Sequence, residues 1–293
     1  MSFVKDLVKL VKLRLTFLVV FSASISFLIG SQIVTATNVN GVINWVNWAK
    51  LIIGGFLITG AANGFNEIIE KDLDRLMTRT ADRPLPAGRM TNGQALVLSL
   101  LMGIGGTYLL GSLNLLTGFL SVFAILLYAF VYTPLKQKSP VSVFVGAIPG
   151  ALPPLIGYVA ANPTIDQIAL ILFGIQFIWQ FPHFWAIAWV LDDDYKLAGF
   201  RLLPTGKRDR VSAVITFIFT LVLVPVSLLP TFYKFGGNYV GGVSLIMSLI
   251  FLYQAFVLMR TLEIKSARQL MFGSFLYLPV VQLMFLFDFI GKK

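Results

Sequence analysis

About nine apolar stretches, each close to the length of a bilayer-crossing helix, succeed one another along this chain and leave few folds open to it. They are Leu15 to Ser31, Leu51 to Phe65, Ala95 to Leu110, Leu115 to Tyr132, Val141 to Ala160, Ile168 to Val190, Val211 to Leu229, Val243 to Met259 and Leu270 to Phe289. A helix rising about 1.5 Å per residue needs roughly 20 apolar residues to cross a hydrocarbon core about 30 Å thick. In lipid the backbone polar groups must be satisfied within helices or a closed barrel. These stretches are too long and too weakly alternating for barrel strands. The expected fold is therefore all-α, a polytopic membrane helix bundle treated as one domain over residues 1–293. With 57% hydrophobic and 12% charged residues, the chain is far from the roughly one-quarter charged composition of soluble domains.

The basic residues orient the spans. With the N-terminus in the cytoplasm, all but Lys50, Lys234, Lys292 and Lys293 fall on the cytoplasmic side, which is 19 of the 23 Lys and Arg. An odd number of spans puts the C-terminus opposite. This asymmetry explains the net charge of +10 without a nucleic-acid partner. Lys5 to Gly30 has the basic front and apolar body of a signal peptide, with small residues at Ser22 to Ser24, but the topology uses it as a span. There is no cysteine, which excludes disulfides, thiolate nucleophiles and cysteine-bound metals.

Nine of the 13 acidic residues occupy two inner loops, about 66–92 and 191–210. Glu67, Glu70, Asp72, Asp74 and Asp82 lie in the first, and Asp192, Asp193, Asp194 and Asp209 in the second. If the second span continues as helix past Phe65, then Asn66, Glu70 and Asp74 recur at i, i+4 and i+8, with Glu67 three residues before Glu70. Carboxylates on one face repel unless a cation lies between them. Mg²⁺, held by one or two carboxylates plus substrate phosphates, meets that need. Arg75, Arg79, Arg83 and Arg89 follow at once. Guanidinium forks suit phosphate oxygens; topology alone would also account for Arg75 and Arg89. Pro84, Pro86 and Gly88 should stop the helix and turn the chain. Two acidic helix ends on one basic face could flank a diphosphate and draw it off as a leaving group.

His183, the single histidine, lies inside a span two turns before Asp192. An intramembrane polar residue is a functional candidate, though a neighbouring helix could equally satisfy it. Pro182 should kink or locally unwind that helix.

The segment NEIIEKDLDRLMTRTADRPLPAGR resembles the first aspartate-rich motif of the UbiA-type intramembrane prenyltransferases. YTPLKQKSPVSVFVGAIPGALPPLIGY, QFPHFWAIAWVLDDDYKLAGFRLLP and SFLYLPVVQLMFLFD are similar, in order, to the branch of that family that farnesylates haem B. The resemblance implies nine helices around a central cavity open sideways to lipid, in a bacterial cytoplasmic (inner) membrane. It implies that Asn66, Glu67, Glu70 and Asp74, with Asp72 close by, bind Mg²⁺ and diphosphate. Arg79, Arg83, Tyr132, Lys136 and Lys138 would hold the donor, and Asp193 and Asp194 would form the second acidic motif. His183 would face the porphyrin as iron ligand or proton carrier. Farnesyl diphosphate and haem B are the implied substrates, with haem A synthase or terminal oxidase assembly factors as partners. The chain departs from the motifs in carrying Glu67 and Glu70 where aspartate is usual, and an unbroken run Asp192 to Asp194. A quinone-precursor prenyltransferase is the nearer rival, against which the PHFW element speaks. A cation transporter would place its acids near mid-span instead of at helix ends.

Overall fold

The computed structural model describes residues 3–37 and 43–289. A short helix α1 (Phe3–Leu10) precedes α2 (Leu13–Thr37), α3 (Trp45–Asp74), α4 (Asn92–Gly111), α5 (Leu115–Leu135), α6 (Ser142–Ala161) and α7 (Gln167–Val190). The short α8 (Asp192–Leu197) leads to α9 (Arg210–Phe232), α10 (Asn238–Thr261) and α11 (Ile264–Phe287). Among the described residues nine helices are long and apolar enough to cross a membrane, as the apolar stretches require. Lys292 and Lys293 lie outside the described residues.

Helix starts carry the capping side chains that orphaned N–H groups demand. Asn44 accepts from Asn47 N at 3.0 Å, Asn114 from Thr117 N at 2.9 Å, and Asp166 from Ile168 N at 2.9 Å. Asp209 caps α9 through Ser212 N at 2.8 Å, so this acid of the second loop is structural.

Lipid offers helices no hydrophobic gain from meeting each other, so close approach through small residues holds the bundle. A Cβ added at Gly157 of α6 would lie 1.9 Å from the Ala23 carbonyl oxygen of α2. One at Gly64 of α3 would lie 2.1 Å from Ser99 Oγ of α4. Pro154 has no N–H for the Gly150 carbonyl one turn earlier. Gln176 of α7 fills that gap, donating Nε2 to Gly150 O at 2.7 Å, while Gln180 Nε2 reaches Ala147 O at 2.9 Å. α7 runs unbroken through Pro182, so the unwinding expected there does not occur.

Candidate active site

α2, α3, α5, α6, α7 and α11, with Leu110 of α4, enclose a cavity of about 520 Å³ whose lining is predominantly apolar. At one end of the bundle α3 extends about two and a half turns beyond its apolar part, as the i, i+4, i+8 spacing requires. Asn66, Glu67, Glu70 and Asp74 are consequently all buried on one side. Asp72, two residues from either neighbour, points away: its side chain is 89% exposed and lies 3.6 Å from Arg75. The structure does not bring Asp72 into the cluster.

Each buried acid has a partner. Glu70 pairs with Lys136 Nζ at 2.6 Å and accepts from Asn66 Nδ2 at 2.8 Å. Asp74 Oδ2 meets Arg83 Nη1 at 2.5 Å. Glu67 Oε1 accepts from Leu85 N at 3.1 Å, which ties the Pro-rich turn to α3. Glu67 Oε2 and Asp74 Oδ1 are buried without a hydrogen-bond partner. Because like charges repel, Glu70 and Asp74 are held by separate cations and Glu67 by a backbone N–H, and among the described residues no three acidic or histidine side chains meet at one point.

Lys12 is the cation that sequence reasoning missed. Between α1 and α2 its backbone takes φ 50°, in the left-handed region. Asn63 Nδ2 and Thr16 Oγ1 bind the Val11 carbonyl exposed by this break, at 3.1 and 2.6 Å. The turn carries Lys12 Nζ to Asn66 Oδ1, 2.7 Å away. Burial, and after it the charges of Arg83 and Lys136, lower the Lys12 ammonium from 10.5 to about 7.

In the second loop, Asp194 accepts from Thr78 N at 2.7 Å and Arg79 N at 3.4 Å, joining the two acidic loops directly. Met77 of the first loop packs with Ala198 and Phe200 of the second. Tyr195 stands between the clusters. Burial raises its phenol, Arg79 opposes this, and both Glu70 and Asp194 raise it further. Asp192 is buried against Lys196 at 2.6 Å. Asp193 is exposed and held by Arg208 at 2.9 Å, so it is not brought into the cluster.

Of the other candidates, Arg79 is at the rim, its Cζ 5.9 Å from the Tyr195 ring centroid, and Lys138 is exposed. Arg75 braces the turn through Pro86 O at 2.9 Å, and Arg89 binds Asp6 of α1 at 2.8 Å and Asp82 at 2.9 Å. Tyr128 and Tyr132 line the cavity from a π-helical stretch, Leu126–Tyr132. Thr133 Oγ1 caps the Tyr128 carbonyl at 2.9 Å and accepts from Asn66 Nδ2 at 3.0 Å, which ties this stretch to the acids.

His183 also lines the cavity, stacked on Trp179 with ring centroids 4.4 Å apart. Its Nδ1 lies 2.7 Å from Ser274 Oγ, whose own hydrogen goes to Met271 O at 2.6 Å. Ser274 must then accept from Nδ1–H, which leaves the lone pair on Nε2. A further polar group, unmarked by any motif, joins three helices: Ser22 Oγ donates to Gln176 Oε1 at 2.8 Å, and Gln282 Nε2 reaches Ser22 Oγ at 2.7 Å.

Residues 23–278 match the model of the UbiA prenyltransferase family. The chain belongs to that family. Across this UbiA chain, 44% of residues over 282 positions match the protoheme IX farnesyltransferase of Cytophaga hutchinsonii, covering 96% of each. The protoheme IX farnesyltransferase of Christiangramia forsetii is 41% identical, over 98% of this chain and 94% of that one. In fold, the UbiA chain superposes on a solved digeranylgeranylglyceryl phosphate synthase with a TM-score of 0.79 at 20% identity, covering 98% and 99% of the two chains. A UbiA homologue from Archaeoglobus fulgidus bound to GPP and Mg²⁺ gives 0.61 at 13% identity, covering 97% of each.

Proposed function

We propose that this chain moves a farnesyl group from farnesyl diphosphate to a vinyl group of haem B, giving haem O for terminal oxidase assembly. The acidic loops and N-terminus face the cytoplasm, and the C-terminus lies on the opposite side of a bacterial inner membrane. The protoheme IX farnesyltransferase relatives, similar over almost the whole chain, support the choice of substrates. The observation that carries the reaction class is the grouping of oxygen donors and cations that starts about one helical turn beyond Asn63, a residue lining the apolar cavity.

The donor set fits a hard divalent ion: it is all oxygen, and Glu67 Oε2 and Asp74 Oδ1 are buried and unsatisfied. Asn66, Glu67, Glu70 and Asp74 would hold Mg²⁺ once Arg83 and Lys136 release their carboxylates, and Asp194, which now accepts from Thr78 N and Arg79 N, would be the ligand from the second loop. When bound, the ion supplies positive charge that stabilises the departing diphosphate.

Arg83 and Lys136 then exchange their carboxylate partners, and Lys12 the amide oxygen of Asn66, for phosphate oxygens, and Arg79 closes from the rim. The allylic C–O bond breaks with its electron pair leaving on the diphosphate. Tyr128 and Tyr132 present aromatic faces to the allylic cation, and the apolar walls keep water away from it. The vinyl π electrons form the new C–C bond. Water adds to the resulting porphyrin-side cation and loses a proton, leaving the hydroxyethylfarnesyl group. His183, with its Nε2 lone pair free for the cavity, holds the porphyrin as iron ligand or takes up that proton.

The test is to supply the purified protein with haem B, farnesyl diphosphate and Mg²⁺ and to look for haem O by mass. Its appearance supports the reading. Prenylation of a hydroxybenzoate or naphthoate in place of haem would overturn it.

A further inference from the structure

The cavity has a side mouth. Leu15 and Leu18 of α2 line it although they are 47% and 55% exposed, as does Phe275 of α11 at 45%. Arg14 and Leu18 also line a groove on the outer surface with Leu13 and Phe17, so this groove meets the cavity at Arg14. Further along, the Ser22–Gln176–Gln282 hydrogen bonds join α2 to α11 through α7 and limit the opening. Eight residues separate Arg14 from Ser22, about 12 Å along the helix.

Among the described residues lining the cavity, Arg14 is the only Lys, Arg, Asp or Glu. Among the described residues no acidic side chain pairs with it. It is the second residue of α2, just where the chain enters the apolar layer. A guanidinium there is a fork for a carboxylate, placed at the membrane surface.

Resting on haem as the acceptor, we infer that Arg14 is a specificity residue that binds a propionate carboxylate of the porphyrin at the lateral mouth. Haem carries its propionates on the edge opposite its vinyl groups. An acceptor entering edgewise from the bilayer leads with a vinyl toward Tyr128 and Tyr132 and trails its carboxylates to Arg14. A charged acceptor edge is thereby kept out of the apolar interior, where it would be costly. The same contact favours acceptors with a carboxylate far from the reacting carbon.

The inference is tested by titrating haem B and its dimethyl ester, which lacks both carboxylates, into wild-type protein and the variants Arg14→Ala and Arg14→Lys in zwitterionic nanodiscs, following the Soret band. Turnover with farnesyl diphosphate is run in parallel. Expected are a rise in Kd for haem on the order of tenfold in Arg14→Ala, partial recovery in Arg14→Lys, and no change in the ester's Kd or in KM for farnesyl diphosphate. Equal shifts for haem and ester, no shift for haem, or no saturable haem binding would each overturn it. Failure of the reaction itself reads differently: haem binds and depends on Arg14, yet no haem O forms.

Discussion

At Lys12 a left-handed backbone and a 2.7 Å bond to Asn66 place an ammonium among the acids. Nothing local marks this lysine among the topological charges around it, because its role depends on a break between two helices. Asn66, Glu70, Asp74 and Arg83 were legible in the sequence because helical spacing puts the three α3 residues on one face and a turn brings the arginine back. That spacing gives Asp72 the opposite direction, so grouping it with its neighbours asked too much of proximity in sequence. Replacing Asp74 by Asn keeps the shape and removes the charge. Turnover should fall about 10²- to 10³-fold with expression unchanged, as measured by haem O formation in membranes. Lys12→Met should lower kcat/KM for farnesyl diphosphate about tenfold with little change in the haem dependence. Asp82 is a separate case, holding α1 to the first loop. Lys9 first, and Arg89 next, hold its carboxyl below the ordinary 3.8. This stabilisation is complete above about pH 4 and is lost as the pH falls below 3.8 through the lower folded value. Asp82→Asn should thus reduce thermal stability near pH 6, by roughly the same amount down to about pH 4, and the gap should close on further acidification.

Among the elements, α3 is the one that builds the site, since its continuation past the apolar stretch converts a sequence spacing into a buried face. Stretch length and charge asymmetry made the nine spans readable in advance, and the shared position of the two acidic loops followed from orientation. The π-helical stretch in α5 and the glutamine contacts to α6 were not readable. Each arises where one helix adapts to a neighbour, as when Gln176 takes up the carbonyl left by Pro154. Close packing of α2 on α6 is testable at Gly157, where a methyl group would run into the Ala23 carbonyl. Backbone cannot rotate away as a side chain can. Gly157→Ala should cost about 1–3 kcal/mol, seen as a lower Tm in detergent. An unchanged Tm would mean that the two helices do not approach this closely.

For the whole molecule, two loops carrying acids meet near one end of an apolar chamber, whose lining reaches the outer surface at Leu15 and Leu18 of α2 and at Phe275 of α11. A bundle of this kind lets a charged leaving group depart at the aqueous face while a lipid-soluble tail and a flat acceptor stay in the bilayer. The sequence resemblance implied such a chamber; the location of its mouth depends on which helices stay apart, and no single segment encodes that. In the proposed reaction α3 and the second acidic loop would hold one divalent ion together with the donor's diphosphate. Mn²⁺ is a suitable reporter because it shares the preference for oxygen ligands. Its binding in the presence of farnesyl diphosphate can be followed by electron paramagnetic resonance in wild-type protein, Asp74→Asn and Asp194→Asn. Saturable binding that weakens at least tenfold in both variants is expected; equal affinity in all three proteins would contradict the account.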